Sequence, residues 1–192
     1  MHVPAIDVLR NSFEASCQRL TRTLSDIGDE EFFWEPVAGC WTVHRRSEKR
    51  AASADGSGEW VIDYEVPDPQ PAPVTTIAWR TVHIATVNYL YYDYAFGPAT
   101  APYDLELPGS ATAAVDWLRA SQEPLWTALQ ESDDDDLGEP KLTNWGDHWP
   151  CERIWRTLID EQVHHGAEIS LLRDLYRNRD TLGWPRPERH AP

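Results

Sequence analysis

The tract DEQVHHGAEISLLRDLY, from Asp160 to Tyr176, sets two carboxylates and two adjacent histidines ahead of a run of leucines. Glu161 and His165 are four residues apart, so on a helix their side chains lie one turn apart on one face. At roughly 100° per residue, that face is also the apolar stripe of the segment. Because burying an isolated carboxylate is costly, the spacing indicates that Glu161 and His165 meet a partner inside the protein.

A third polar side chain of this kind, His83, lies in a separate helical segment. It stands in the middle of an apolar stripe formed by Trp79, Val87, Leu90 and Tyr94. Imidazole nitrogens and carboxylate oxygens are good ligands for divalent ions, and three protein ligands with one open position are typical of a catalytic zinc site. We therefore expect His83, Glu161 and His165 to hold a divalent transition metal, with zinc or nickel foremost among the ions that such sites accept.

Two alternative interpretations of these residues stay open. The same three side chains would also be satisfied as a buried, hydrogen-bonded cluster without a metal. In addition, Asp160 and His164 have the same spacing and lie about 100° around the helix, off the centre of the stripe. His164 is therefore the alternative ligand if the register of the site is shifted by one residue.

Four segments with apolar residues every three or four positions predict the helices that position these side chains; they span about residues 5–27, 76–96, 110–132 and 150–179. Thr75 or Thr76 suits the N-cap of the second helix, and Gly97-Pro98 suits its end, with the glycine in a left-handed turn. Pro124 lies inside the third segment, which predicts a kink or a break there.

The connection between the first and second helices is long, at about residues 34–74. Within it, EWVIDYEV alternates in part between polar and apolar residues, which predicts a short strand that pairs with the segment Trp41-Thr42-Val43. We expect an all-α fold: a four-helix bundle with a long loop, holding a short β-hairpin, between helices 1 and 2. A length of 192 residues fits one domain, 1–192.

Charge and composition exclude several classes of partner. The net charge is −15 and the pI is near 4.7, which argues against a nucleic-acid backbone or an anionic membrane surface. The sequence has no run of about 18 apolar residues, and its N-terminus lacks the features of a signal peptide. Cys17, Cys40 and Cys151 do not suit a disulfide framework or a paired metal site. We expect a cytoplasmic protein that acts on a small molecule.

Other polar and aromatic residues are given structural interpretations. Four histidines outside the apolar stripes are expected to face solvent: His2, His44, His148 and His190. The run Asp133–Asp136 is interpreted as a solvated loop rather than a cation site. Four side chains near the predicted site are expected to pack or to lie at the surface rather than to react: Trp79, Tyr91, Tyr94 and Glu168.

These motifs resemble those of the DinB/YfiT-like superfamily of four-helix-bundle metalloproteins. Four features match: WEPVAGCWTV ahead of the second helix, the lone His83 in VHIATVNYLYYDYAFG, the acid-then-histidine pattern EQVHHGAEI, and the LLRDLY that follows. The likeness covers most of the chain, and the long connection ahead of the second helix is covered least. The tract Asp160–Tyr176 is the most specific part.

The resemblance implies a ligand set and a class of activity. The family's pattern, one histidine from the second helix and an acid or histidine with a second histidine four residues on, falls on His83, Glu161 and His165. A register anchored on Gly166 would instead select Asp160 and His164. The acidic first position resembles the mycothiol-dependent branch, which includes maleylpyruvate isomerase.

The family resemblance therefore implies a metal-dependent enzyme, a transferase or isomerase that uses a low-molecular-weight thiol of the mycothiol type. In such an enzyme the metal activates the thiol or a water molecule. The alternative hypothesis is a non-enzymatic, metal- or ligand-binding helical bundle that forms a homodimer, since bundles often bury an apolar face in this way.

Overall fold

The four segments with helical periodicity form four long helices in the computed structural model, which describes residues 3–48, 50–51, 53–67 and 69–183. These helices are α1 (Ala5–Thr23), α3 (Ile77–Phe96), α4 (Ala111–Glu131) and α5 (Cys151–Arg177), and a single helical turn, α2 (Asp29–Phe32), follows α1. The periodicity thus located all four long elements. It overran α1 and α5 by a few residues and missed α2, which is too short to show a repeat.

The second and third long helices, α3 and α4, each begin after a residue whose hydroxyl caps the helix N-terminus. The Thr76 hydroxyl accepts the backbone N–H of Trp79 at 3.2 Å, and the Ser110 hydroxyl accepts that of Ala113 at 3.3 Å. Helix α3 ends at Gly97 as expected, but this glycine is extended, with φ −113°, and the left-handed residue is Ala99, with φ 57°. The predicted left-handed glycine was therefore wrong, although the stop was placed correctly.

Pro124 does not divide α4, which runs unbroken from Ala111 to Glu131. A proline lacks the N–H that would bond back to the preceding turn, yet burial on both sides of it holds the helix together: Leu118, Ser121, Leu125 and Leu129 are all buried. The predicted break is absent because tertiary packing outweighs the loss of one hydrogen bond.

The acidic run between α4 and α5 has a structural role. Asp134 accepts the backbone N–H groups of Ala5 and Ile6, at 3.3 and 2.8 Å, at the first turn of α1. Helix α1 begins after Pro4 and has no side-chain cap of its own, so the carboxylate supplies the acceptor that the helix start needs.

Two small antiparallel sheets lie in the connections. The first has the order β1-β3-β2, with β1 (Val43–Arg45), β2 (Ala54–Asp55) and β3 (Trp60–Asp63). The predicted strand is thus confirmed as β3, but it pairs with Val43–Arg45, whereas Trp41 forms a parallel bridge to Thr75. The second sheet, β4 (Pro140–Leu142) with β5 (His148–Pro150), was not predicted. The fold is therefore mostly helical with small sheets, rather than purely helical.

The long helices pack around two groups of buried apolar side chains. Helix α3 contacts α4 and α5, and α1 contacts α5 and α4. One group extends from α3 and α4 to the first sheet and includes Trp41, Ile62 and Trp79. The other joins α1, α4 and α5 and includes Phe13 and Trp155. Among the described residues, no helix combines the length and the apolar character needed to cross a bilayer.

Candidate metal centre

Helices α3 and α5 pack side by side and bring together three residues from distant parts of the chain. Nε2 of His83 and Nε2 of His165 each lie 3.2 Å from the same carboxylate oxygen, Oε2 of Glu161. One ligand atom from each residue lies within 4.8 Å of the other two. Two imidazole nitrogens and one carboxylate oxygen at this separation suit the donor chemistry of a divalent transition metal.

The cluster is neither fully buried nor free in solvent. The side chains of His83, Glu161 and His165 are 24%, 28% and 11% exposed. Burial alone would raise the pKa of the Glu161 carboxyl, but hydrogen bonds from His165 and His83 hold that pKa far below its ordinary value. Burial lowers the pKa of His83, against the opposing effect of Glu161. The site therefore favours an ionised Glu161 beside a neutral His83, the protonation states that a metal requires of these two ligands.

A second carboxylate orients the ring of His165. Oε2 of Glu168 lies 2.6 Å from Nδ1 of His165, a distance at which a protonated Nδ1 donates to the carboxylate, and Nε2 of the same ring faces Glu161. Nε of Arg80 lies 3.1 Å from the same oxygen of Glu168, and burial lowers the pKa of Arg80. The negative charge of Glu168 therefore pairs with the guanidinium of Arg80, which comes from the facing helix α3.

The first sheet supports the other histidine through a tryptophan. The rings of Trp79 and His83 stack with centroids 4.7 Å apart and an interplanar angle of 12°. The indole N–H of Trp79 donates to the backbone carbonyl of Asp63 in β3 at 2.7 Å. The strand predicted in the long connection, β3, therefore holds the Trp79 ring against which His83 stacks.

Asp63 also belongs to a second histidine–carboxylate pair, which the sequence analysis did not anticipate. Its Oδ1 lies 2.9 Å from Nε2 of His44, and its Oδ2 accepts the backbone N–H of Thr42 at 2.8 Å. His44 is buried, so the expectation that it faces solvent was wrong: β1 turns this side chain inward, onto β3. His148 is exposed as expected, and His2 and His190 lie outside the described residues.

A pocket of about 240 Å³ opens beside the cluster, with His83 and Glu161 in its wall. Most of its lining is apolar or aromatic and comes from α3, β3, the α3–α4 connection and the turn between β4 and β5. The polar edge of the cluster thus faces a cavity large enough for a small organic molecule.

His164, the alternative ligand, lies on the outside of α5. Its side chain is 59% exposed, and its Nε2 lies 3.3 Å from Oε1 of Glu168. His164, His165 and Glu168 form a second group with ligand-like spacing, but Arg80 contacts both Glu168 and Nδ1 of His165 there, the latter at 3.1 Å. Asp160 is exposed and is not part of either group.

The residues expected to pack near the site divide between several roles. Trp79 stacks on His83, Tyr91 lines the pocket, and Glu168 contacts His165. The hydroxyl of Tyr94 instead donates to the carbonyl of Ala101 at 3.3 Å, at the end of α3.

The cysteines are poor candidates for a nucleophile. Burial raises the pKa of Cys17 to about 12, and its thiol donates to Oε1 of Gln162 at 3.1 Å. Burial also raises the pKa of Cys40 and of Cys151. Because the thiolate is the reactive form, none of the three is activated for attack.

Sequence reasoning missed several residues around the site, including Arg80, Asp63, Tyr103 and Trp145. Arg80 precedes His83 by three residues, so a search for polar neighbours at helical spacing would have found it. Glu168, three residues after His165, was named near the site but was expected to pack or to lie at the surface. Tyr103 and Trp145 come from connections, where no periodicity marks which side chains point inward. Asp63 ends the predicted strand β3, in which Val61, Ile62 and Asp63 are all buried, so alternation did not mark its direction.

The fold and the cluster together define a mostly helical protein with a candidate metal centre between two of its long helices. The model of the DinB superfamily matches residues 12–169, and the chain belongs to that family. Among solved structures, the chain is similar to a DinB-like protein from Bacillus cereus ATCC 10987, with a TM-score of 0.58 and 19% identity, over 97% of this chain and 98% of the other. At this identity the likeness supports the fold alone. No curated protein matches the chain.

Proposed function

We propose that this chain is a metal-dependent enzyme whose divalent ion is held by His83, Glu161 and His165. The observation that carries the proposal is the convergence of three ligand atoms within 4.8 Å, with two of the three residues, His83 and Glu161, on the wall of a pocket. Structural metal sites are closed by protein ligands, whereas three ligands beside a cavity leave a position for a substrate or a water. The four long helices act in this proposal as a bundle of the DinB/YfiT type.

The chain's own residues have distinct tasks in this proposal. Glu161 supplies the negative charge, and His83 and His165 supply neutral nitrogen donors. Glu168 holds the proton on Nδ1 of His165 and so keeps Nε2 free for the ion. The apolar wall of the pocket excludes water around the open position. When bound, a divalent ion supplies the Lewis acidity that lowers the pKa of a thiol or a water.

We infer that the reaction is the transfer or isomerisation of a small molecule with the help of a low-molecular-weight thiol of the mycothiol type. The acidic ligand at the first position of the α5 pair supports this, together with the unreactive state of Cys17, Cys40 and Cys151. A protein without an activated thiol of its own has to take a thiol nucleophile from solution. Zinc and nickel suit both the nitrogen-rich site and a sulfur ligand.

Metal analysis of the purified, untagged chain tests the proposal. We expect about one equivalent of a transition metal in the wild-type protein, or its uptake on titration with zinc or nickel, and its loss in His83→Ala and in His165→Ala. His164→Ala is the matched control, because it removes the neighbouring imidazole and should keep the metal. Absence of metal uptake by the folded wild-type protein would show that the three residues form a metal-free hydrogen-bonded cluster.

A second candidate is a non-enzymatic, metal- or ligand-binding protein that acts as a homodimer. The observation that favours it is the exposure of Val163 and Leu171, which lie two turns apart on the outer face of α5. Light scattering separates this candidate from a monomeric enzyme, and Leu171→Glu should dissociate a dimer formed through this face.

A further inference from the structure

The pocket beside the candidate metal centre has a size and a surface that restrict what it accepts. Its volume of about 240 Å³ equals that of roughly eight waters in the liquid and lies below the range typical of drug-sized ligands. Apolar side chains such as Ile62, Val87 and Leu90 form much of its wall. These dimensions suit a single ring or a short hydrocarbon body.

Among the described residues, the carboxylates of Asp55 and Glu161 are the charged groups that line this pocket, apart from the titratable ring of His83. Among the described residues that line it, none is lysine or arginine, whereas Asp55 and Glu161 each bring a carboxylate. Partial burial, and then the neighbouring carboxylate of Asp104, raise the pKa of Asp55, because both make its ionised form less stable. The nearby Arg80 is held by Glu168 and does not line the pocket.

Two exposed aromatic residues form a lip at this pocket. Tyr103 comes from the α3–α4 connection and Trp145 from the turn between β4 and β5, and their ring centroids lie 6.4 Å apart. Both line the pocket although about half or more of each side chain is exposed. Aromatic rings at an entrance favour a flat, apolar partner and carry no positive charge that would pair with a carboxylate.

We propose that the pocket selects a small ligand with an uncharged, apolar body and excludes ligands that carry a negative charge on that body. This inference rests on the proposed function, since the bound metal ion then supplies the positive charge that pairs with a negatively charged atom of the ligand. An anionic body meets Asp55 and finds no lysine or arginine among the described lining residues, so its charge is desolvated without a cation to pair with it. The part of the thiol or of its acceptor that enters the pocket is therefore neutral apart from the group at the metal.

The test compares two thiols that differ only at the far end of the ring: phenylmethanethiol and 4-(mercaptomethyl)benzoate. In the cobalt-substituted protein, the thiolate-to-cobalt charge-transfer band reports binding at the metal. In the metal-free protein, ligand-observed NMR reports binding in the pocket. In both states we expect the carboxylate-bearing thiol to bind at least about tenfold more weakly.

Three variants locate the effect. Asp55→Lys should reduce the discrimination between the two thiols by at least about threefold. Asp135→Lys makes the same change in net charge outside the pocket lining and should leave the discrimination unchanged. Val87→Trp places an indole in the pocket and should abolish binding of both thiols.

Failure of this inference and failure of the proposed function give different results. Equal affinity for the two thiols, no binding of phenylmethanethiol to the metal-free chain, or unchanged discrimination in Asp55→Lys overturns the charge selection, whether or not cobalt binds. A chain that takes up no cobalt, yet still prefers the uncharged thiol, keeps the charge selection and loses the metal centre.

Discussion

The protein contains two clusters that are built from the same residue types and differ in what surrounds them. His44 and Asp63 are 5% and 1% exposed, and both carboxylate oxygens of Asp63 and both ring nitrogens of His44 have partners within the protein. In the other cluster, His83 and His165 share one oxygen of Glu161 beside an open pocket. Each polar side-chain atom of the first cluster has a partner within the protein, whereas the second cluster places His83 and Glu161 on the wall of a cavity.

This contrast shows that a histidine beside a carboxylate does not by itself identify a functional site. Burial and complete pairing make the His44–Asp63 pair a structural element that fastens β1 to β3. Partial exposure and shared donors give the α3–α5 cluster the capacity to bind an ion. The two are connected, because Asp63 also accepts the indole N–H of Trp79, on which His83 stacks.

The largest expected effect follows from removing the carboxylate of the closed cluster. Asp63→Ala leaves His44 and the backbone N–H of Thr42 buried without their acceptor, and we expect a loss of about 3–5 kcal/mol in the free energy of unfolding. Urea denaturation measures it. Glu161→Ala in the metal-free protein is the matched comparison and should cost clearly less, because its partners lie beside a pocket. Equal losses would remove the distinction between the two clusters.

Next in size is the effect of Glu168 on metal affinity. Glu168→Gln weakens the acceptor that orients His165, and we expect zinc to bind about 10–100-fold more weakly. Competition titration against a chromophoric chelator measures this. Asp160→Asn makes the same change of charge on the exposed face of α5 and should leave the affinity near that of the wild type. If both variants bind zinc alike, Glu168 does not orient the ligand.

A smaller effect is expected from the hydrogen bond that links the two clusters. Trp79→Phe keeps an aromatic ring beside His83 and removes the indole N–H that Asp63 accepts, which should cost about 1 kcal/mol of stability. Zinc affinity should fall by less than about tenfold. Trp126→Phe makes the same change in the other core group and controls for the loss of ring area. If Trp79→Phe binds zinc as tightly as the wild type, the hydrogen bond from Trp79 to the first sheet does not support the metal site.

The smallest effect is expected from the protonation of His83 in the metal-free protein. The folded state lowers the pKa of His83 below its ordinary value of 6.5, so the unfolded chain takes up the proton first, and stability falls as the pH drops below that value. Glu161 acts in the same direction further into acid, since its pKa also lies below the ordinary value of 4.5. The midpoint of urea denaturation, measured as a function of pH, should fall below pH 6.5 in the wild type and in His148→Gln. This fall should be absent in His83→Gln.

The periodicity of the sequence was sufficient for the helices because each long helix buries one stripe, and a stripe is a local pattern. It placed Glu161 and His165 on the inner face of α5 and His83 on that of α3, and the structure brings these three side chains together. The same reasoning failed for His44, whose direction depends on the pairing of β1 with β3. Neither the β4–β5 turn nor the α3–α4 connection carried a signal for the side chains that line the pocket.

The sequence by itself determined the four long helices, the strand at Trp60–Asp63, the family and the three side chains that meet between α3 and α5. Only the tertiary structure decided that Glu168 orients His165, that His44 is buried on Asp63, and that an apolar pocket free of lysine and arginine adjoins the cluster among the described residues. The physical reason is the range of the interactions. Helical faces follow from neighbours a few residues apart, whereas pairing, burial and cavities arise where segments distant in sequence come into contact.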